Sequence, residues 1–215
     1  MAGAQNHRLA LAVCQAGGLG ALPAAMLSPD ALQAELQALT AATPAPYNVN
    51  FFCHAQPTPN AEREAGWHKA LAPYYSEFGL DASPMPGGPG RVPFGHDSAD
   101  VLEVFRPAVV SFHFGLPAPD LLARVKSWGA FVLSSATTVA EARWLQAHGA
   151  DAVIAQGLEA GGHRGMFLTD DLSTQMGTFA LLPQIVQAVD GPVIAAGGVG
   201  TAHTVAAARQ LGASG

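Results

Sequence analysis

Short apolar runs alternate along the chain with segments in which apolar residues recur every three or four positions. The runs lie at 18–22, 47–53, 108–114, 130–134, 151–156 and 192–196. Runs of this length, bounded by Gly, Pro and polar residues, are typical of strands that are buried on both faces. The sequence therefore predicts six buried strands.

The segments between these runs show the signals of amphipathic helices. Ser28 and Pro29 supply an N-cap and a first-turn proline at the start of one such segment. Apolar stripes with helical spacing follow there and recur further along the chain, at Leu32, Leu36 and Leu39, at Leu121, Val125 and Trp128, at Val139, Ala142 and Leu145, and at Leu182, Ile185, Val186 and Val189.

Strands that alternate with helices predict a parallel sheet wrapped by helices. An open doubly wound sheet and a barrel both satisfy this pattern. The doubly wound sheet expects an early strand–GxGxxG–helix fingerprint, whereas Gly17, Gly18 and Gly20 precede or enter a strand. We therefore predict an α/β fold of the TIM (β/α)8 barrel type, in a single domain over residues 1–215.

Two connections are much longer than the others. Residues 57–96 contain a predicted helix over 61–78 and a loop rich in Pro and Gly at 84–90, and residues 157–177 form a polar connection after the fifth run. Long connections within a compact domain are usually lids or binding loops. We expect both to contribute to an active site, as a lid or accessory segment and as a binding loop.

Composition narrows the classes of function. The chain has 215 residues, of which 49% are hydrophobic and 12% charged, and its net charge is −6. Because no block of Lys or Arg is present, neither nucleic acid nor an anionic membrane is the expected partner. No apolar stretch approaches the roughly 18 residues of a membrane span. Cys14 and Cys53 fit no disulfide or metal pattern, so we expect no metal and a cytoplasmic location.

Polar residues converge where several of the predicted strands end. Asn48 and Asn50 share one face of the second run, and Gln156 ends the fifth. In the third run Ser111 and His113 share a face, and the apolar residues of that run are expected to point the other way, namely Val110, Phe112 and Phe114. In parallel α/β barrels the carboxyl ends of the strands carry the active site, so we expect these polar residues to lie there.

Two glycine clusters follow predicted strands. In the stretch 155–165, AQGLEAGGHRG, His163 follows Gly161 and Gly162, which leave room for the backbone to approach a flat or anionic ligand. Gly197 and Gly198 lie between the sixth run and a helix predicted to open near 201. The backbone N–H groups of such a turn can hold a phosphate.

Four stretches in this order resemble the nitronate monooxygenase family, formerly called 2-nitropropane dioxygenase, and the similarity covers essentially the whole chain. They are NVNFFCH at 48–54, SFHFGLP at 111–117, AQGLEAGGHRGMF at 155–167 and PVIAAGGV at 192–199. The resemblance implies an FMN-containing TIM barrel with a small accessory segment over the active site. It also implies oxidation of an alkyl nitronate, such as propionate 3-nitronate, by O2 to a carbonyl compound and nitrite.

The resemblance further implies roles for individual residues. His163 becomes the catalytic histidine, which binds the nitro group or takes a proton from a neutral nitroalkane, and His113 a neighbouring substrate contact. The positions expected to contact FMN are Met1, Asn48 or Asn50, Gln156, Gly161 and Gly198, with Gly197 next to the phosphate. A neutral imidazole near pH 7 is suited to either histidine role.

The chain departs from the family at both ends. The family's first motif ends at positions that match Met1, Ala2 and Gly3, and its eighth strand would begin near 212–215. We therefore expect about six of eight barrel strands, in a truncated chain that inherits the function without necessarily performing it.

Two alternatives stay open at this point, and a third lacks a residue that it needs. A flavin-dependent enoyl reductase of the same superfamily would need a nicotinamide donor, and a non-catalytic flavin- or phosphate-binding remnant would release no nitrite. A barrel of the inosine monophosphate dehydrogenase type would need a catalytic cysteine in an active-site loop, which neither Cys14 nor Cys53 provides. The oligomeric state is open.

Overall fold

The computed structural model describes residues 5–81 and 91–215. Its strands are β1 (Gly20–Pro23), β2 (Tyr47–Phe52), β3 (Val109–His113), β4 (Phe131–Ala136), β5 (Ala152–Gln156) and β6 (Val193–Ala196). Its helices are α1 (His7–Gln15), α2 (Pro29–Ala42), α3 (Ala61–Glu77), α4 (His96–Phe105), α5 (Pro119–Ser127), α6 (Val139–Ala147), α7 (Thr178–Ala188) and α8 (Ala202–Gln210), and Leu172–Thr174 form a 3-10 turn. One compact unit runs up to His54 and resumes at Pro93, and Ala55–Val92 form a second.

The larger unit is built on one six-stranded parallel sheet. Its strands pair in chain order from β1 to β6, and every pair is parallel. A doubly wound sheet reverses its strand order at a switch point, so this unbroken order in a curled sheet confirms a partial barrel of the TIM type. The six predicted strands are confirmed, each to within two residues of its expected ends.

The two faces of the sheet differ in polarity. On β2, β3 and β4 the residues Val49, Val110, Phe112 and Val132 are fully buried against the surrounding helices. The alternation of the strands turns the intervening residues to the inner face, where Asn50 pairs in register with Ser111, and Phe52 with His113. The inner face therefore carries most of the polar strand residues that the sequence singled out.

The predicted helices are confirmed, and two more are present. Ser28 caps α2 by accepting a hydrogen bond from the N–H of Ala31 at 3.2 Å, and the predicted stripe on that helix is fully buried. The sequence pattern does not predict α1 or α4. The buried face of α1 consists of the small residues Ala10 and Cys14, and α4 begins at Gly95 without a side-chain cap, so each lacks one of the signals on which the prediction depends.

Both outer strands of the sheet have further backbone contacts. On β1 the carbonyl of Ala21 accepts a hydrogen bond from the side-chain amide of Gln5 at 3.2 Å. Beside β6, the N–H of Ser214 donates to the carbonyl of Val193 at 2.7 Å. The N–H of Ala195 donates to the carbonyl of Gly215 at 2.9 Å. The residues after α8 thus begin to pair with β6.

The smaller unit contains α3, which confirms the helix predicted over 61–78. Asn60 caps it by accepting from the N–H of Arg63 at 2.9 Å, and no residue of the helix is buried. The predicted loop at 84–90 lies outside the described residues. Within the described part of the chain, no helix is long and apolar enough to cross a membrane.

Candidate active site

One part of the candidate site is a hydrogen-bonded cluster around Ser111, on the inner face of the sheet. The side-chain amides of Asn48 and Asn50 each donate to the Oγ atom of Ser111 at 2.8 Å. The two asparagines therefore lie on one face of β2, as the alternation predicts. Asn48 is buried, and its Oδ1 atom has no hydrogen-bond partner among the described residues. Because buried polar atoms are normally paired, this oxygen is suited to a donor from a bound ligand.

The second part of the candidate site is the loop that follows β5. Gln156 spans this loop with both atoms of its amide: Nε2 donates to the carbonyl oxygen of His163 at 3.0 Å, and Oε1 accepts from the N–H of Gly165 at 2.6 Å. Nε2 of His113 lies 3.2 Å from the same carbonyl oxygen of His163. Side chains from β3 and β5 therefore fix the backbone from the carbonyl of His163 to the N–H of Gly165.

The protonation of His113 follows from its partner. A carbonyl oxygen only accepts hydrogen bonds, so Nε2 of His113 carries the hydrogen. Burial lowers the pKa of His113 below its usual value, and the hydrogen bond to His163 opposes this effect in part. His113 is therefore neutral at pH 7, with its Nδ1 unprotonated.

The closest approach of the loop backbone to the site falls at Gly165. A Cβ atom there would lie 2.8 Å from Cε1 and 3.1 Å from Nδ1 of His113, and 3.0 Å from Cβ of Ser135. The sequence pointed instead to Gly161 and Gly162, where a Cβ atom would meet no protein atom within 4 Å. The space beside those two glycines is open to a ligand, whereas Gly165 is required by the protein itself.

The imidazole of His163 is exposed and bounded by aromatic rings. Its ring centroid lies 5.2 Å from that of Phe52 and 5.8 Å from that of Phe114, both edge to face. His54 contacts the same two phenylalanines at 6.3 and 6.2 Å. The cluster thus presents imidazole groups beside an apolar wall, which suits a small ligand with one polar and one alkyl end.

The expected orientation of Phe114 is wrong. It was placed on the face opposite to His113, but its ring packs against that of His113 at 4.5 Å between centroids. The reason is that β3 ends at His113, and Phe114 adopts a left-handed backbone conformation with φ of 67°. The alternation of faces therefore stops one residue before Phe114.

Glu159 joins the loop after β5 to the first residue of α7, beside the turn after β6. Its carboxylate accepts from the N–H and Oγ1 of Thr178, at 2.8 and 2.9 Å. These hydrogen bonds hold the pKa of Glu159 below its usual value. A Cβ atom on Gly197 would lie 2.6 Å from the N atom of Ala160, so the two loops are in close contact. Glu159 is thus an ionised structural link.

The turn after β6 retains donors for an anion. The N–H groups of Gly200 and Thr201 donate to Oγ1 of Thr204, in the first turn of α8. The N–H groups of Gly198 and Val199 have no acceptor among the described residues. Two free donors beside the start of a helix are suited to a phosphate group.

Thiol and metal chemistry have little support in the described part of the chain. Cys14 is buried in α1, and burial raises the pKa of the Cys53 thiol well above its usual range. Those described ranges contain no group of three or more His, Cys, Asp or Glu side chains that could hold a metal. Met1, a predicted cofactor contact, lies outside them.

The sequence interpretation missed three members of the aromatic cluster, namely Phe52, Phe114 and His54. Phe52 lies two residues after Asn50 on the same strand, so the alternation that placed Asn50 on the inner face could also have placed Phe52 there. No comparable signal exists for Phe114, because its position depends on a left-handed residue that is not glycine.

Comparison with known proteins matches the whole chain to one family. The profile of the family described as "Nitronate monooxygenase" matches residues 1–215. A nitronate monooxygenase of Paraburkholderia phytofirmans is 42% identical over 216 residues, which cover 99% of this chain and 58% of that protein. One of Pseudomonas aeruginosa is 39% identical and is covered to 61%. The chain thus spans about 60% of the length of these curated relatives.

A solved structure supports the same relationship. The nitroalkane oxidase of Streptomyces ansochromogenes superimposes with a TM-score of 0.85 at 39% sequence identity. The superposition covers 99% of this chain and 61% of that one.

Proposed function

Since this chain belongs to the nitronate monooxygenase family, we propose that it carries the site for oxidation of alkyl nitronates by O2 to a carbonyl compound and nitrite. The observation that carries this proposal is the fixed histidine loop. Gln156 and His113 hold the backbone around His163, while the imidazole of His163 stays exposed beside Phe52 and Phe114.

FMN is the cofactor of this proposal. The residues that would hold it are Asn48 or Asn50, Gln156, Gly161 and Gly198, with Gly197 beside the phosphate and Met1 beyond the described residues. The unpaired Oδ1 of Asn48, the open space beside Gly161 and the free donors of the turn after β6 fit a flat, phosphate-bearing group. When bound, a flavin accepts electrons from the substrate and passes them to O2.

His163 is the catalytic residue of this proposal. A nitronate is already an anion, so its binding requires a hydrogen-bond donor, whereas a neutral nitroalkane must first lose a proton to a base. The exposed imidazole can serve either purpose, because its own ring is not needed to fix the loop: the hydrogen bonds from His113 and Gln156 go to the backbone of His163.

His113 lies beside the substrate in this proposal, as the second histidine of the site. Its Nε2 hydrogen is directed to the carbonyl of His163, and its opposite edge faces Gly165. It would therefore contact the substrate through the face of its neutral ring, close to Phe114, and would add no positive charge.

The proposal is tested with the purified 215-residue chain. The chain is incubated with FMN and desalted, its visible spectrum is recorded, and nitrite release is measured with propionate 3-nitronate and O2 but without reduced nicotinamide. Retained flavin bands and nitrite release that is lost in His163→Asn support the proposal. Retained flavin without nitrite favours a binding remnant, turnover only with nicotinamide favours an enoyl reductase, and a colourless chain shows that these residues do not suffice to bind FMN.

A further inference from the structure

The side chain of Glu141 is a fully buried carboxylate, in the first turn of α6. Among residues 5–81 and 91–215, no Lys, Arg or His forms an ion pair with it. A buried carboxylate without a cation is stable only when hydrogen bonds replace its lost hydration. The partners of Glu141 therefore indicate what it holds in place.

The two carboxylate oxygens serve different parts of the chain. Oε2 accepts from the N–H of Thr137 at 2.7 Å and from its hydroxyl at 2.8 Å. Oε1 accepts from the N–H of Phe167 at 2.7 Å and from that of Leu168 at 3.2 Å. One oxygen thus binds the entry to α6, and the other binds the loop between β5 and α7, which carries His163.

Capping of α6 does not account for the second pair of hydrogen bonds. The N-cap of this helix is Thr138, whose side chain accepts from the N–H of Glu141 at 3.2 Å. The contacts of Oε1 reach residues 26 and 27 positions further along the chain. The ring of Phe167 also packs on Trp144 of the same helix, at 5.2 Å between centroids.

A second contact holds the same loop further along. Nε2 of Gln175 donates to Oγ1 of Thr137 at 2.8 Å, and that hydroxyl donates in turn to Glu141. The loop is therefore fixed to the start of α6 at two separate points, in addition to the contacts of Gln156 and His113 around His163.

We propose that Glu141 is a positioning residue for His163: its carboxylate holds the amides of Phe167 and Leu168 and thereby fixes the segment that carries the imidazole. The relevance of this proposal to catalysis rests on the function proposed for His163. The catalytic consequence is that the protein's own hydrogen bonds hold the loop in place before any ligand binds.

The experiment measures amide hydrogen exchange and histidine side-chain resonances by NMR in the full chain without added ligand. Glu141→Ala removes every acceptor, and Glu141→Gln restores one oxygen. We expect exchange at Phe167 and Leu168 to accelerate roughly tenfold or more in Glu141→Ala, since hydrogen bonds to a charged acceptor are lost, and by a smaller factor in Glu141→Gln. The imidazole resonances of His163 shift in the same order.

Two controls separate positioning from general destabilisation. Leu145→Ala removes buried volume from α6 without changing an acceptor, and Gln175→Leu removes the contact to Thr137 while leaving every hydrogen-bond partner of Glu141 in place. Resonances of His163 that move in Leu145→Ala as far as in the Glu141 variants, or that stay unchanged when the two amides lose protection, overturn the proposal. If Glu141→Ala does not fold, Glu141→Gln gives the same decision. Because no flavin or substrate is used, a wild-type chain without nitrite release would contradict the proposed function alone.

Discussion

Nε2 of His113 donates to the backbone carbonyl of His163, 50 positions further along the chain, and not to its imidazole. The two histidines are thus coupled through the backbone, so no ring-to-ring hydrogen bond carries a proton between them. In the proposed function, His163 can exchange a proton with substrate while His113 stays neutral. The charge state of His113 should therefore affect the stability of the folded chain, which can be measured without any ligand.

We predict that His113 makes the folded chain less stable in mild acid. Burial places its folded-state pKa below the usual value of 6.5, so the unfolded chain binds the proton more readily. The contribution to stability is complete above about pH 6.5 and is lost as the pH falls through the interval below it. Urea unfolding at pH 7.5 and pH 5.5 should show a larger loss of stability for the wild type than for His113→Phe.

His203→Gln is the control for that experiment, because His203 is exposed on α8. It should lose as much stability between the two pH values as the wild type does. An equal loss in His113→Phe and in the wild type would show that the burial of His113 does not favour its neutral form.

The pair Gly165→Ala and Gly161→Ala should differ sharply. The new methyl group at position 165 would lie 2.8 Å from Cε1 of His113 and 3.0 Å from Cβ of Ser135, so a neighbouring group would have to shift. Overpacking of this kind costs about 1–3 kcal/mol. At position 161 the methyl group would meet no protein atom, so stability should stay within about 0.5 kcal/mol of the wild type. Thermal and urea unfolding of both variants measure the difference.

The same pair reports on the cofactor. If a flavin occupies the open space beside Gly161, the stable Gly161→Ala variant should retain less FMN after desalting than the wild type. Equal retention by the two proteins would place the flavin elsewhere.

The strands could be predicted from the sequence because burial in a parallel sheet leaves continuous apolar runs, and their order followed from the choice of a barrel over a doubly wound sheet. The inner polar face followed from simple alternation at Asn48, Asn50 and Ser111. Alternation stops where a strand ends, and the left-handed turn at Phe114 has no local signal, so the aromatic wall of the site could not be predicted. The crowding at Gly165 depends on His113, which is distant in the sequence, whereas the sequence draws attention to Gly161 and Gly162.

Glu159→Gln should weaken the contact between the loop after β5 and the start of α7, and only above acidic pH. The hydrogen bonds from Thr178 hold the pKa of Glu159 below its usual value of 4.5, so its contribution is complete above that pH and is lost as the pH falls through the lower folded value. Because the carboxylate is exposed, solvent screens the interaction and the effect is less than about 1 kcal/mol. Urea midpoints of both proteins at pH 7 and pH 3.5 measure it.

Thr178→Val provides the matched change on the other partner, since it removes the hydroxyl that donates to Glu159. The double variant should lose no more stability than the two single variants lose together. The coupling between the two changes should shrink at pH 3.5. A coupling that is unchanged between the two pH values would show that the charge of Glu159 is not involved.

Ser111→Ala and Asn48→Leu should distinguish an acceptor that stabilises the fold from an atom that would bind a ligand. Removal of the Ser111 hydroxyl leaves the buried amide of Asn48 without its acceptor and leaves that of Asn50 only the carbonyl of Ser111, at 3.4 Å, and an unpaired buried donor costs about 1–3 kcal/mol. Asn48→Leu removes one donor together with an oxygen that already lacks a partner, so it should destabilise the chain less than Ser111→Ala does.

Asn48→Leu should nevertheless weaken FMN binding, because the unpaired oxygen is the atom offered to the cofactor. Quenching of flavin fluorescence measures the binding. An Asn48→Leu chain that binds FMN like the wild type would assign the flavin contact to Asn50, and the unpaired oxygen of Asn48 would then have no part in the site.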